Sequence, residues 1–189
     1  MRLLDLLRED FILLNQKPAS KKEAILLLIK TLERGGVLED SMEFLRAVWH
    51  REEEGTTGVG DGVAIPHARS RAVPFPALAA MTIPDGVDFE SLDKKPVRLI
   101  FLIATPLEGG SDTHLEALSS LAALLLEESF RDALERAGST EAFRYTVAQA
   151  QQRHDAPEKG TNRLPRILAV TACPTGIAHT YMAAEQLGK

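Results

Sequence analysis

The stretch Gly58-Val-Gly-Asp-Gly-Val-Ala-Ile-Pro-His67 places one histidine behind a proline, at the end of a short apolar run in a glycine-rich segment. This arrangement is a way to present an imidazole nitrogen at a protein surface. Histidine has an ordinary pKa of about 6.5, so His67 would be mostly neutral and nucleophilic near pH 7. An unremarkable histidine is more often structural, with its nitrogens satisfied by hydrogen bonds, so the surrounding sequence must decide between the two roles.

Two helices are predicted before this stretch. Ser20 and Glu23 form a capping-box pattern, in which hydroxyl and carboxylate satisfy opposite backbone amides, and Gly35-Gly36 marks the end of the helix. Asp40 opens a second helix, whose apolar residues recur at helical spacing. Arg51 follows those apolar residues, so we expect it near the C-terminal end of this helix.

Strands and further helices are predicted after it. Residues 77–83 and 97–104 are short apolar runs, typical of strands that are buried in a sheet and lie next to or near each other. The pattern of residues 112–128 predicts the longest helix, and residues 140–149 predict another. Because strands and helices intermix, the predicted fold class is α/β.

Composition narrows the function classes. The chain has 189 residues, 44% hydrophobic and 5% aromatic, which is enough for an aliphatic core without disulfides. The net charge is −5 and the basic residues are scattered, which argues against nucleic acid as a partner. No apolar run approaches the roughly 20 residues of a membrane-spanning helix. With one cysteine and no leader pattern at the start, the predicted location is cytoplasmic.

A change in composition near residue 150 predicts a domain boundary. Residues 151–165 are polar and contain two prolines and a glycine, which indicates a linker after a domain of residues 1–150. Residues 166–189 read as a fresh strand, a Cys173-Pro-Thr-Gly176 loop and a helix. Backbone amides and a helix N-terminus would lower the pKa of the Cys173 thiol and could cradle a phosphate. A lone cysteine is otherwise more often a small buried hydrophobe.

Neither an organic cofactor nor a metal is predicted. The glycines at 58, 60 and 62 lack the lysine and the helix start of a nucleotide-binding loop. A zinc site formed by His67, His114 and a carboxylate is conceivable, but the ligand spacings of known zinc motifs are absent.

Several short motifs together resemble the IIA domain of the bacterial sugar phosphotransferase system, fructose/mannitol class, over roughly residues 1–150. They are Arg51-Glu52, Thr57-Gly58, Pro66-His67 and Asp112-Thr-His114-Leu115. The resemblance implies a mixed-sheet domain flanked by helices and a phosphotransferase activity without a cofactor. It implies that phospho-HPr phosphorylates His67, through Nε2.

The resemblance also assigns roles to two further residues. Arg51 would stabilise the phosphoryl group with its planar fork of donors, although an arginine beside Glu52–Glu54 is otherwise expected to pair with them in solvent. His114 would assist from the first turn of the long helix, where the helix dipole disfavours a positive imidazolium, so we expect it neutral and donating one hydrogen bond. Arg69 adds a guanidinium near His67 that could modulate partner binding or simply be exposed.

The segment around Cys173 resembles the start of a fructose-class IIB domain, in which this cysteine accepts the phosphoryl group from the IIA histidine. One strand and one helix are too little to fold unaided, so we expect Cys173 to be inactive or weakly active. We expect the tail to be disordered, or to pack on the first domain or a neighbouring chain by strand addition.

The function that the resemblance implies is a phosphoryl relay from HPr to a IIB domain, and indirectly to a membrane IIC component, for uptake of a sugar. The motifs favour fructose as that sugar. The alternative is a regulatory IIA-like module that binds target proteins according to its phosphorylation state, and a non-catalytic domain is the third interpretation.

Overall fold

A six-stranded sheet carries apolar side chains on both faces, and helices cover each face. The computed structural model describes residues 2–108 and 111–155, with the side chains of residues 111–116 and 155 outside that description. The helices are α1 (Leu3–Leu6), α2 (Lys21–Arg34), α3 (Ser41–Glu53), α4 (Ser111–Leu125), α5 (Glu128–Glu135) and α6 (Thr140–Asp155). The strands are β1 (Ile12–Leu13), β2 (Gly58–Gly60), β3 (Val63–Ala64), β4 (His67–Ser70), β5 (Ala77–Val87) and β6 (Val97–Pro106).

Both predicted helix starts are confirmed. The Ser20 hydroxyl accepts a hydrogen bond from the Glu23 amide at 3.3 Å, and the Glu23 carboxylate accepts one from the Ala19 amide at 2.6 Å. The Asp40 carboxylate accepts from the amides of Met42 and Glu43, each at 2.9 Å. Each cap satisfies amides that the first helical turn leaves without a partner, which fixes where α2 and α3 begin.

The long strands β5 and β6 form an antiparallel pair at the centre of the sheet, in the order β1-β5-β6-β3-β2. Successive residues of β6 point to opposite faces: Ile100 and Leu102 pack with α2 and α3, whereas Leu99 and Phe101 pack with α1 and α4–α6. Burial on both faces explains why these strands are continuous apolar runs. The predicted neighbouring strands and the α/β fold with a mixed sheet and flanking helices are confirmed.

Strands β3 and β4 both run parallel to β6, one after the other. Ala64 pairs with Ile100 and His67 pairs with Ile103, so the chain follows β6 with an interruption at Ile65-Pro66. Pro66 has no amide hydrogen, but its carbonyl still accepts from the Ile103 amide at 3.0 Å. His67 therefore begins a strand that the centre of the sheet holds in register.

Two predicted boundaries were wrong. The helix predicted over residues 112–128 ends earlier, at Leu125, whose carbonyl accepts from the Arg131 side chain at 2.6 Å, and Glu128 already begins α5. The residue after the end, Leu126, is exposed. Helix α6 continues to Asp155, so the first five residues of the predicted linker are helical. The reason is Gln151, which is buried and accepts from the Leu3 amide at 2.9 Å.

The remainder of the predicted linker and residues 166–189, including Cys173, lie outside the described residues, and the proposed domain division stays a prediction. Among the helices that are described, none combines the length and the apolar character needed to cross a bilayer.

Candidate functional site

Helix α3 lies antiparallel along strand β4 and brings two of the predicted site residues together. At one end of the contact, the Ser70 hydroxyl donates to the Glu43 carboxylate at 3.0 Å. At the other end, Nε of Arg51 donates to Nε2 of His67 at 3.1 Å. The two residues are 16 positions apart in the chain, so their contact depends on the packing of the helix against the strand.

The hydrogen bonds of His67 assign its tautomer. Nδ1 lies 2.8 Å from the carbonyl oxygen of Ile65, and because a carbonyl can only accept, Nδ1 carries the hydrogen. Nε2 accepts from the Arg51 guanidinium, which has only donors, so Nε2 carries the lone pair. The nucleophilic nitrogen therefore faces the guanidinium, and the opposite nitrogen is fixed by the backbone.

The surroundings of His67 favour its neutral form. Burial is the largest effect and lowers the pKa of the imidazole below its ordinary value, and the positive charge of Arg51 lowers it further. The Ile65 carbonyl and the carboxylates of Glu52 and Glu54 act in the opposite direction without reversing the shift. At neutral pH the ring is uncharged, which is the form that can attack phosphorus.

The Arg51 side chain is oriented by two acceptors. Its Nη1 donates to the carbonyl oxygen of Gly55 at 3.0 Å, just beyond the end of α3, while Nε donates to His67. The expectation that Arg51 lies near the C-terminal end of its helix is confirmed. The alternative of a solvated pairing with Glu52–Glu54 does not hold for Glu52, because its carboxylate is buried and bonds to Thr57 instead.

A surface cavity of about 410 Å³ opens in front of this pair. Its lining carries two guanidinium groups, those of Arg51 and Arg69, against one carboxylate, that of Glu54. His67 and Arg69 are two residues apart in β4, so their side chains leave the strand on the same side. Arg69 is exposed, and its guanidinium donates to the Leu107 carbonyl, which holds it at the edge of the cavity. Such a lining suits an anion with two negative charges.

His114 lies in the first turn of α4, as expected, but its side chain lies outside the described residues. Its predicted role in binding the phosphoryl group therefore stays a prediction. Within the described part of the chain, no group of three or more His, Cys, Asp or Glu side chains could hold a metal ion.

Sequence reasoning named Glu52 and Thr57 only as parts of motifs and gave no role to Lys21, so it missed the contacts that these three polar residues make with one another. Glu52 is 8% exposed, forms an ion pair with Lys21 and accepts two hydrogen bonds from Thr57. A signal was present, because Phe44, Val48 and Glu52 recur every four residues and so share the buried face of α3. A carboxylate that continues an apolar stripe is rarely buried without a partner.

The sequence profile of the phosphoenolpyruvate-dependent sugar phosphotransferase system, EIIA 2, matches residues 5–150. A fructose-specific EIIABC component of Bacillus subtilis is 42% identical over 193 residues, which covers 99% of this chain and 30% of that protein. This chain thus spans less than a third of the length of that relative.

Two solved structures share the fold. The nitrogen regulatory protein IIA-Ntr from Neisseria meningitidis superposes with a TM-score of 0.71 at 34% identity, covering 76% of this chain and 97% of that one. The complex of enzyme IIAMTL with phosphorylated enzyme IIBMTL from Escherichia coli gives a TM-score of 0.65 at 26% identity, covering 76% and 99%. Together with the matched profile, these likenesses confirm the predicted IIA family: the chain belongs to the EIIA 2 family of the phosphoenolpyruvate-dependent sugar phosphotransferase system.

Proposed function

We propose that residues 1–150 form a phosphoryl relay in which His67 accepts a phosphoryl group from phospho-HPr and passes it to a IIB cysteine. One observation carries the proposal: a neutral imidazole, fixed through Nδ1, directs its Nε2 lone pair at a guanidinium in a basic cavity. The sugar would be fructose, which is what the name of the Bacillus subtilis relative specifies. The relay would act in the cytoplasm, next to a membrane IIC component.

The transfer itself needs no cofactor. Nε2 of His67 attacks phosphorus in line, the new N–P bond forms, and the old P–N bond breaks with its electron pair returning to the donor histidine. The ring of His67 becomes cationic while Nδ1 keeps its hydrogen, and the Ile65 carbonyl stabilises that charge. In the second half, a IIB thiolate attacks the same phosphorus, and the N–P electron pair returns to Nε2.

Arg51 has to move for this reaction to occur, because its Nε–H occupies the lone pair that must attack. A rotation of the guanidinium that keeps its contact with the Gly55 carbonyl would turn its remaining donors toward the phosphoryl oxygens. His114 would add a hydrogen bond from the first turn of α4. Arg69 lies on the same side of β4 and supplies further positive charge at the cavity.

The choice of acceptor is supported by two relatives. One is a complex of a IIA enzyme with a phosphorylated IIB enzyme. The other is an EIIABC component, whose alignment extends over 99% of this chain and so into the segment that contains Cys173. We propose that residues 166–189 are the beginning of a IIB domain, with Cys173 at the position of the phosphocysteine.

A regulatory role is the second candidate, favoured by the 34% identity with the nitrogen regulatory protein IIA-Ntr. Such a protein would accept the phosphoryl group at the same histidine. The difference would lie in the next step, since a regulator needs no IIB acceptor.

A reconstituted relay separates these two functions. The chain is incubated with enzyme I, HPr and radiolabelled phosphoenolpyruvate, then freed of the donors and mixed with a complete fructose-class IIB domain. We expect acid-labile label on the chain and its transfer to the IIB domain within the mixing time. Label that stays on the chain in the presence of IIB would support the regulatory role, and no label at all would contradict both functions.

The pH dependence of His67 provides an independent prediction. Since burial lowers its pKa, the imidazole of the free protein should titrate with a midpoint below the ordinary value of about 6.5. Phosphorylation should therefore remain level as pH falls from 8 toward that ordinary value, because the nucleophile stays neutral. The midpoint is measured by NMR titration of the His67 ring protons, and a midpoint at or above about 6.5 would contradict the desolvated site.

A further inference from the structure

Three polar side chains contact one another next to Arg51 in the chain, and we refer to Lys21, Glu52 and Thr57 as the buried triad. Glu52 and Thr57 are buried, and Lys21 is partly buried and also pairs with the exposed Glu90 at 3.3 Å. One carboxylate oxygen of Glu52 accepts from the Thr57 hydroxyl. The other accepts from the Thr57 amide at 3.3 Å and lies 2.8 Å from Nζ of Lys21. The side chain of Glu52 is only 3% exposed and that of Lys21 13%, so the ion pair is largely shielded from water.

The buried triad is connected to His67 through the backbone. The Thr57 carbonyl accepts from the Ile65 amide at 2.9 Å. The carbonyl of the same Ile65 accepts from Nδ1 of His67 at 2.8 Å. A continuous series of hydrogen bonds therefore runs from the Glu52 carboxylate, through Thr57 and Ile65, to the nitrogen that carries the hydrogen of His67.

The buried triad also supports Arg51. Glu52 follows Arg51 in the last turn of α3, and its bonds to Thr57 close the loop between them. Gly55 lies inside that loop, and its carbonyl accepts from Nη1 of Arg51. Both residues that would handle the phosphoryl group thus depend on the loop that Glu52 closes.

Stability alone is a weak reason for this arrangement. Removing an ammonium and a carboxylate from water is costly, and apolar residues of similar volume stabilise a core at least as well as a buried ion pair. Apolar residues, however, cannot orient neighbouring groups through hydrogen bonds. The carboxylate of Glu52 sets where the hydroxyl and the amide of Thr57 lie, and Lys21 balances its charge.

From these contacts we propose that Glu52, paired with Lys21, is a positioning residue for phosphoryl transfer. It fixes Thr57 and thereby the Ile65 carbonyl, which keeps the hydrogen of His67 on Nδ1 and leaves Nε2 as the nucleophile. The inference rests on the proposed function for its kinetic consequence but not for its effect on the tautomer. If the hydrogen-bond series from Glu52 to Ile65 is broken, the Arg51 contact alone holds the tautomer, and the ring also populates the form with a hydrogen on Nε2, which cannot attack.

Substitution of Thr57 by valine tests this link, because it removes the hydroxyl and leaves Lys21 and Glu52 in place. The matched control is Thr31→Val, which also removes a buried hydroxyl, one bonded at 2.9 Å to the Leu27 carbonyl inside α2 and unconnected to His67. Thr57→Ser keeps the hydroxyl and should restore the native behaviour. If Thr57→Val does not fold, Thr57→Ala replaces it, because alanine introduces no additional methyl group beside the carboxylate.

Two readouts are measured on each folded variant. The first is the 15N NMR signature of the His67 ring in the free protein above pH 8, where Nδ1–H should be the single tautomer in the native protein. Thr57→Val should show both tautomers, whereas Thr31→Val and Thr57→Ser should show one. The second is phosphorylation by phospho-HPr, for which we expect kcat to fall about 10-fold to 100-fold in Thr57→Val, as misplacement of a reacting group does. KM should change less than about twofold because the cavity surface is intact.

A Thr57→Val protein with the native tautomer and the rate of Thr31→Val would overturn the proposal. Failure of the proposed function looks different, because then the native protein accepts no phosphoryl group while the tautomer comparison still gives its answer. A mixture of tautomers in Thr57→Val would in that case support the positioning role of the link, without any kinetic measurement.

Discussion

Replacing His67 by glutamine abolishes phosphorylation in the proposed relay. Glutamine can accept from Arg51 through its amide oxygen, so the side chain should remain near the guanidinium, but an amide has no nucleophilic lone pair of comparable strength. We expect acid-labile label from phospho-HPr to fall at least ~1,000-fold, in line with removal of a nucleophile from other enzymes. Circular dichroism and thermal unfolding of the same sample check that the fold is retained.

His50→Gln is the matched control for that variant. His50 lines the same cavity and is exposed, and its Nε2 lies 4.0 Å from the Glu54 carboxylate. The control protein should keep its labelling within about twofold, since no step of the relay passes through His50. Substantial label on the His67→Gln protein would refute the assignment and direct attention to His50, His114 or Cys173.

Local patterns explain which elements could be predicted from the sequence. The caps at Ser20 and Asp40 act on amides two or three residues away, so the sequence alone contains all the interacting groups. The strands β5 and β6 are buried on both faces and therefore appear as apolar runs. In each case the physical cause lies within one segment of the chain.

Long-range contacts explain what the sequence could not predict. The end of α6 depends on Gln151 accepting from Leu3, 148 positions away, and a glutamine among polar residues gives no local sign of burial. The contact between Arg51 and His67 likewise requires α3 to pack along β4. The family resemblance supplied that pairing in advance, whereas residue type alone favoured a solvated arginine.

The buried triad lies between these two cases. Glu52 is visible as a carboxylate on the apolar stripe of α3, which predicts burial but does not name a partner. Lys21 is the first residue of α2 and comes to Glu52 only in the folded chain, 2.8 Å from its carboxylate. The local sequence pattern could therefore have identified Glu52 as an unusual buried carboxylate, but only the tertiary structure identifies its partners, Lys21 and Thr57.

Arg51→Met should produce the second large loss. Methionine retains much of the length of the side chain but no donor, so the phosphoryl group would lose its guanidinium partner at the moment when its charge is redistributed. Loss of one such electrostatic contact typically slows a reaction about 100-fold to 1,000-fold, and we expect a decrease of that order in kcat/KM for phosphorylation. Arg51→Lys keeps the charge without the planar fork and should recover only part of the rate.

For Arg51→Met we also predict a change in the pKa of His67, which can be measured without any phosphoryl transfer. The charge of Arg51 is one of two causes that lower the pKa of His67, so Arg51→Met should raise the NMR titration midpoint while burial continues to act. Arg46→Met is the control, because Arg46 is an exposed arginine of the same helix, outside the cavity lining. It should leave both the rate and the midpoint unchanged. If Arg51→Met matched this control in rate, the guanidinium would have no part in transfer, and its contact with Nε2 would serve only to keep His67 neutral.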